Sequence, residues 1–250
     1  HILYAILNDL PWCWAERAYA PAPDMEAELR ARGFRLFALE SKAPLSEMDM
    51  LGFSLQSELT YTSVLNILDL AGVPLRADAR DNTHPLVFAG GPTAVNPEPL
   101  APFIDFFVIG DGEVAMVEIA EICRALRGRP RDERLAEIAK VSGVYVPSHY
   151  SVERLPDGRV LPQEGQPDVV RRVITDLDKA QFPTRYIVPF TQLIHDRLGL
   201  EVLRGCTHGC RFCQAGIIGR PVRARTLGNI DTLVDELLDH TGYEEISLVS

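Results

Sequence analysis

No stretch of this chain is apolar for the roughly 18 residues that a membrane-spanning helix needs, so no membrane partner is expected. The spread-out, even-numbered cysteines of a secreted disulfide framework are also missing. There are five cysteines in 250 residues, and three of them crowd into eight positions. The expected compartment is therefore a reducing cytoplasm. Positive charge is in deficit, with 25 Lys and Arg against 35 Asp and Glu, a net −10. That balance favours solubility and disfavours wholesale binding to nucleic acid or anionic membrane. Internal repeats and low-complexity tracts are absent. No leader peptide is visible, and the chain opens on His1 rather than Met, so its true N-terminus is expected to lie outside this sequence.

What is present is ample material for a core, 46% apolar residues, in a length that suits one large or two ordinary domains. Ile2 to Leu7 reads as a helix without the strand that should feed it. Trp12 to Ala20 reads as extended. Asp24 is placed to cap a helix over Met25 to Arg32, which Gly33 ends. Short apolar strands are predicted at Met50 to Leu55, Leu86 to Ala89 and Phe106 to Ile109. They alternate with helices over Leu59 to Leu70 and Val114 to Leu126. That alternation predicts an α/β fold, a doubly wound, Rossmann-like parallel sheet. Such sheets bind ligands beyond the carboxyl ends of their strands, where Gly90, Gly91, Gly110 and Gly112 fall. Gly110-x-Gly112 resembles a dinucleotide turn, but Asp111 and Glu113 put negative charge where a pyrophosphate would sit. A tight turn that needs glycine is the simpler reading. Cys123 shares a stripe with Ile119, Ile122 and Leu126 and reads as core. Cys13, between two tryptophans, reads as a boundary thiol.

Beyond Asp132 the pattern changes. A last helix is expected at Leu135 to Ala139. Extended pieces follow at Val144 to Val146, Tyr150 to Arg154 and Val169 to Ile174, with a turn at Pro156-Asp157-Gly158. Leu200 to Leu203 is a strand leading into Arg204-Gly205-Cys206-Thr207-His208-Gly209-Cys210-Arg211-Phe212-Cys213. A helix at Asn229 to His240 and a strand at Glu245 to Val249 complete the chain. The expected division is a Rossmann-like domain over 1–140, a β-rich connector over 141–190, and the start of a barrel over 191–250.

Three thiolates at Cys206, Cys210 and Cys213 can take three corners of an iron–sulfur cube and leave the fourth iron open. Gly205 and Gly209 are expected to let the backbone wrap with positive φ. The spacing also fits one helix face, which the two glycines oppose. Zinc is the other alternative, with His208 as fourth ligand. Arg204, Arg211, Arg220, Arg223 and Arg225 make this region locally basic. They either pair with the domain's own carboxylates or form a site for a carboxylate or phosphate.

Cys-x3-Cys-x-aromatic-Cys, with Phe212 as the aromatic, resembles the signature of the radical S-adenosylmethionine (radical SAM) enzymes. The likeness continues through Arg220 to Thr226. Upstream, Phe88 to Leu100 and Phe107 to Glu113 resemble the cobalamin-binding-type domain that precedes the barrel in one branch of that superfamily. The resemblance implies a partial (β/α)6 radical SAM barrel after the Rossmann-like domain. It also implies a [4Fe-4S] cluster on Cys206, Cys210 and Cys213, S-adenosylmethionine on the open iron, and Phe212 packing near the nucleoside. An electron donor such as flavodoxin or ferredoxin and an unidentified substrate come with it. Cobalamin is implied as a second cofactor, edged by Gly90, Gly91, Gly110 and Gly112. The Asp-x-His-x-x-Gly signature of a cobalt-ligating histidine is absent, however, and His84 precedes a strand rather than following one. Three readings stand: a radical SAM enzyme with or without cobalamin-dependent methyl transfer, an RNA-modifying enzyme of the same chemistry, and a non-enzymatic metal knot that binds a partner.

Overall fold

The protein is described by a computed structural model covering residues 1–163, 165–191, 194 and 196–249. It divides into two compact units, Cys13–Arg172 and His1–Trp12 with Val173–Ser250. Helix α1 (Ile2–Asn8) opens the chain and belongs to the second unit.

The larger unit begins with α2 (Pro23–Arg32). Pro23 starts it, where a missing N–H costs nothing. Ala22 is the N-cap, so Asp24 is not the cap that the sequence predicts but lies inside the first turn. Its charge still suits the positive end of the helix dipole. Gly33 ends the helix in the left-handed conformation at φ 67°. Next come β1 (Met50–Ser54), α3 (Tyr61–Ala71), β2 (Leu86–Gly90) and β3 (Phe106–Val108). Strands β1, β2 and β3 run parallel, with Met50 beside Leu86 and Phe88 beside Phe106. Helices α4 (Gly112–Ala125) and α5 (Arg131–Ile138) lead to β4 (Val144–Tyr145), which pairs antiparallel with β3 at the edge. The strand order is β1-β2-β3-β4.

Burial explains why these strands carry unbroken apolar runs. Leu51, Val87, Ala89 and Phe107 join one core with Val64 and Leu68 of α3. Their neighbours Leu86 and Phe106 point the other way and are equally buried. Both faces are therefore covered, as the Rossmann-like reading requires. On the second face the Phe88 and Phe106 rings stack at 5.1 Å. Cys123 of α4 packs its sulfur 3.3 Å from that of Met50, consistent with a core thiol.

A hairpin of β5 (Val152–Arg154) and β6 (Val160–Pro162) turns at Pro156-Asp157-Gly158. The strand expected over Val169 to Ile174 does not form. One residue of it, Arg172, makes a parallel bridge to Gly110.

In the second unit, β7 (Leu198–Glu201) is followed by β8 (Leu203–Arg204), α6 (Ala215–Ile218), β9 (Arg223–Ala224), α7 (Leu227–Thr241) and β10 (Ile246–Val249). The strand expected from Leu200 to Leu203 is thus two strands broken at Val202. The Val202 N–H donates to Val249 and its carbonyl accepts from Arg225, so the chain changes partners there. Strand β7 pairs parallel with β10, and β8 antiparallel with β9. Thr226 caps α7 by accepting from Asn229 N–H, and Leu233 and Leu237 pack on Leu198 and Leu200. Leu238, the next residue along, is exposed. Among the described residues no helix is long and apolar enough to cross a membrane.

Candidate functional site

The cysteine segment is an irregular loop between β8 and the short α6. Its two ends are brought together by the β8–β9 ladder, in which Arg204 lies opposite Arg223. The second fixture is Gly205, at φ 91°. A Cβ there would run into the Gly219 carbonyl oxygen and stand 3.1 Å from that of Pro221. Only glycine lets the outgoing and returning strands of the loop touch in this way. Gly209 differs from its expected role, since its φ is not positive and nothing lies within 4 Å of where its Cβ would be. Gly216 makes the closer approach instead, its Cβ direction facing the His208 carbonyl at 2.7 Å.

Cys206 and Cys213 are half-buried and Cys210 is exposed. The His208 N–H donates to the Cys206 sulfur at 3.4 Å, and the Cys213 N–H to the Cys210 carbonyl at 3.1 Å. His208 Nδ1 is 3.8 Å from the same sulfur, so the ring and Cys206 are neighbours. Among the described residues no three His, Cys, Asp or Glu side chains converge on one metal position. An open cavity of about 540 Å³ adjoins the loop, lined by Cys206, Thr207, Arg220, Pro221 and Val222. Phe212 presents its ring to solvent, 92% exposed.

The arginines divide. Arg204 holds Glu201 through two contacts of 2.9 Å. Arg223 is buried and donates to the carbonyls of Ile174, Pro221 and Gly219 at 3.0, 3.0 and 3.4 Å. Arg225, also buried, donates to Leu177, Glu201 and Asn229 and lies 5.3 Å from the Phe182 ring centroid. These three are internal fastenings. Arg211 and Arg220 are the exposed members of the group.

In the larger unit the four glycines at the carboxyl edge of the sheet have separate surroundings. Gly91 (φ 108°) would place a Cβ 2.8 Å from the Leu55 carbonyl oxygen and 3.0 Å from Leu55 N. Gly110 (φ 109°) would place one against the Arg172 carbonyl and 2.8 Å from Arg172 N. Gly90 has ordinary contacts, 3.4 Å to Val108 O, and Gly112 begins α4 behind Asp111. At Gly91 and Gly110 the close approach is with the chain's own backbone.

Sequence reasoning missed a buried charge cluster in this unit. Asp105 Oδ2 accepts from Arg80 at 3.1 Å, Arg131 at 2.5 Å and the Val87 N–H at 2.6 Å. Both guanidiniums also hold backbone carbonyls, those of Pro74, Leu75 and Phe103 for Arg80 and of Asp81, His84 and Pro85 for Arg131. No spacing signal could have joined residues so far apart. Tyr145 donates to Glu98 at 2.5 Å, and burial with this carboxylate partner raises the phenol's pKa.

The donor chemistry at the cysteine loop fits an iron–sulfur cluster: three thiols on one accessible loop beside an open cavity. At Gly91 and Gly110 the place of a Cβ is taken by Leu55 and Arg172 of the chain itself, so the need for glycine at both turns is met without a ligand.

Comparison with known proteins agrees with this fold. The family described as radical SAM proteins, N-terminal, matches residues 1–147. An uncharacterised protein of Methanocaldococcus jannaschii, MJ0966, is 25% identical over 217 residues, 86% of this chain and 41% of that protein. The structure of the radical S-adenosylmethionine methyltransferase TsrM from Kitasatospora setae superposes with a TM-score of 0.50 at 15% identity, over 99% of this chain and 43% of that one. The chain thus spans about two fifths of each of these proteins. With 147 of its 250 residues matched, the chain belongs to the radical SAM proteins, through the family of their N-terminal domains.

Proposed function

We propose that this protein is a radical SAM enzyme whose [4Fe-4S] cluster is held by Cys206, Cys210 and Cys213. One observation carries the reading. The three thiols lie on a single loop that follows the parallel strand β7 through the short antiparallel strand β8, tied at its base by the Gly205–Gly219 contact and bordered by an open cavity. Loops after parallel strands are where barrel enzymes keep their chemistry. When bound, the cluster supplies the electron that cleaves S-adenosylmethionine to methionine and a 5′-deoxyadenosyl radical. The chain's own residues do the holding and shaping. The three cysteines ligate iron. Phe212, on the exposed tip of the loop, offers an aromatic surface to the nucleoside. Arg220, on the cavity wall beside Cys206, supplies positive charge for an anionic group. A reduced flavodoxin or ferredoxin is the fitting electron donor.

Methyl transfer is the second reading, favoured by the likeness to the radical S-adenosylmethionine methyltransferase TsrM over nearly the whole chain; cobalamin as its cofactor rests on the sequence resemblance at Phe88 to Leu100 and Phe107 to Glu113. Its cofactor would lie along the carboxyl edge of the sheet, where Gly90, Gly91, Gly110 and Gly112 fall. The RNA-modifying reading rests on the exposed Arg211 and Arg220, since Arg204, Arg223 and Arg225 are engaged internally, and the net charge of −10 opposes it.

The test is anaerobic purification of the full-length protein. A brown protein with about four irons per chain that releases 5′-deoxyadenosine from S-adenosylmethionine supports the reading. A colourless protein carrying zinc would point to the non-enzymatic metal knot instead.

A further inference from the structure

Arg223 lies outside the cysteine motif, yet it holds the backbone on which the motif leans. It is 7% exposed, and its guanidinium gathers three carbonyls: Ile174 (3.0 Å), Pro221 (3.0 Å) and Gly219 (3.4 Å). Gly219 and Pro221 belong to the returning half of the cysteine loop. Their carbonyls are the atoms that a Cβ on Gly205 would meet. Gly205 immediately precedes Cys206, and Arg204 before it is paired with Arg223 in the β8–β9 ladder. Backbone and side chain of Arg223 thus act on the two halves of one loop. The ladder fixes where the loop starts, and the guanidinium fixes the wall against which Gly205 and Cys206 rest. Pro221 also lines the cavity beside Cys206.

We propose that Arg223 is a positioning residue for the cluster, acting through Gly219, Pro221 and Gly205 to set where the Cys206 sulfur stands. The inference rests on the cluster assignment of the preceding subsection. Arginine suits the task because its planar fork reaches several acceptors at once and stays charged when buried. A lysine ammonium is a point donor on a flexible stem and cannot hold the same three carbonyls in the same plane. Groups that orient metal ligands from behind typically change metal affinity by about 10- to 100-fold when lost.

The experiment uses the full-length protein with its cluster reconstituted anaerobically, as Arg223→Lys beside the parent. Two quantities are read: the rate at which a chelator strips iron, and the electron paramagnetic resonance spectrum of the reduced cluster with and without S-adenosylmethionine. Expected for Arg223→Lys are iron loss about tenfold faster and a shifted spectrum, while circular dichroism stays native. Arg225→Lys serves as the control, since Arg225 is as buried but touches neither Gly219 nor Pro221. It should leave the spectrum unchanged even where it lowers the unfolding midpoint. If Arg223→Lys fails to fold, Gly205→Ala disturbs the same contact from the other side and should give the same two changes. Parental chelation rate and spectrum in every folded variant of this pair overturn the proposal. A parent that binds no iron at all overturns the cluster assignment itself, a distinguishable result, and the proposal falls with it.

Discussion

Gly110 and Arg172 lie side by side in a parallel bridge, and the Arg172 carbonyl stands where a Cβ on Gly110 would be. The bridge is fastened on both sides: Arg172 N–H donates to Ile109 at 2.9 Å and Asp111 N–H to Arg172 at 3.0 Å. The Arg172 guanidinium then reaches Glu118 of α4 through two contacts of 2.6 and 2.7 Å. Arg172 thereby closes the turn after β3.

Gly110→Ala should destabilise the protein by more than about 2 kcal/mol, since it combines a left-handed φ with a backbone clash. Gly128→Ala is the matched comparison. Its φ is also positive, at 80°, but nothing lies within 4 Å of its Cβ position, so about 1 kcal/mol is expected. Urea unfolding of the two variants measures the difference, and equal midpoints would refute the packing explanation.

Asp105→Asn should cost about 3–5 kcal/mol, the range for breaking a buried ion pair from one side. The variant leaves Arg80 and Arg131 buried together without the carboxylate both of them face. Guanidinium denaturation measures the loss, and a parental midpoint would show that the backbone carbonyls alone satisfy the two arginines.

Burial pushes the Cys123 thiol up to about 11, against an ordinary 9.0, whereas Cys13 is raised by burial without so large an effect. The folded protein therefore binds the Cys123 proton more tightly than the unfolded chain. Its contribution to stability is complete below pH 9 and is lost as pH rises towards 11. At pH 8 the Cys123 thiolate is scarce, and alkylation of the native protein should spare it. Mass mapping after iodoacetamide treatment checks this. Cys123→Ala should keep the parental iron content.

Glu118 is held below the ordinary carboxylate range by its hydrogen bonds to Arg172. Stability from this pair is present above the unfolded carboxylate's pKa and disappears as pH falls through the folded one. Because the pair is partly exposed, Glu118→Gln should cost under about 1 kcal/mol at neutral pH. In a double-mutant cycle with Arg172→Met, the coupling energy should shrink on acidification.

The elements were legible where periodicity and burial agree. Leu86 to Ala89 and Phe106 to Ile109 are unbroken apolar runs because both faces of the sheet are covered, and their places follow from composition alone. Helix α7 was legible from Leu233 and Leu237, though Leu238 lies beyond the buried stripe. The break at Val202 was not legible, because a change of pairing partner leaves no mark in an apolar tetrapeptide. The cysteine loop announced itself by residue type. Its supports did not: Gly205 meets Gly219, and Arg223 meets Ile174, only after folding. For Arg223 and Arg225 the sequence left carboxylate pairing and an anion site open. The structure instead gives them mainly backbone carbonyls, which no charge count reveals.

The choice between hydrogen abstraction alone and cobalamin-dependent methyl transfer turns on cobalt, and Gly91 separates two explanations of any cobalt loss. The Leu55 carbonyl accepts from Thr93 N–H at 3.2 Å and Thr93 Oγ1 at 3.1 Å, while Leu55 N–H donates to Gly90 at 2.7 Å. Gly91 sits at φ 108° against this junction, its Cβ direction 2.8 Å from the same carbonyl. A valine there must displace Leu55 and loosen the whole turn after β2. Gly91→Val is therefore expected to lower the unfolding midpoint with or without cofactor. Thr93→Val, which keeps the space and removes one hydroxyl, should cost about 1 kcal/mol. If methyl transfer is the reaction, the full-length parent incubated with hydroxocobalamin and desalted should keep about one equivalent of cobalt, as a specific pocket does. Cobalt retained by Gly91→Val should then fall only in proportion to unfolded protein. Cobalt lost at an unchanged midpoint would mean that Gly91 touches the corrin itself. A parent that keeps its iron and no cobalt leaves the cysteine loop as the reactive centre and removes methyl transfer through cobalamin.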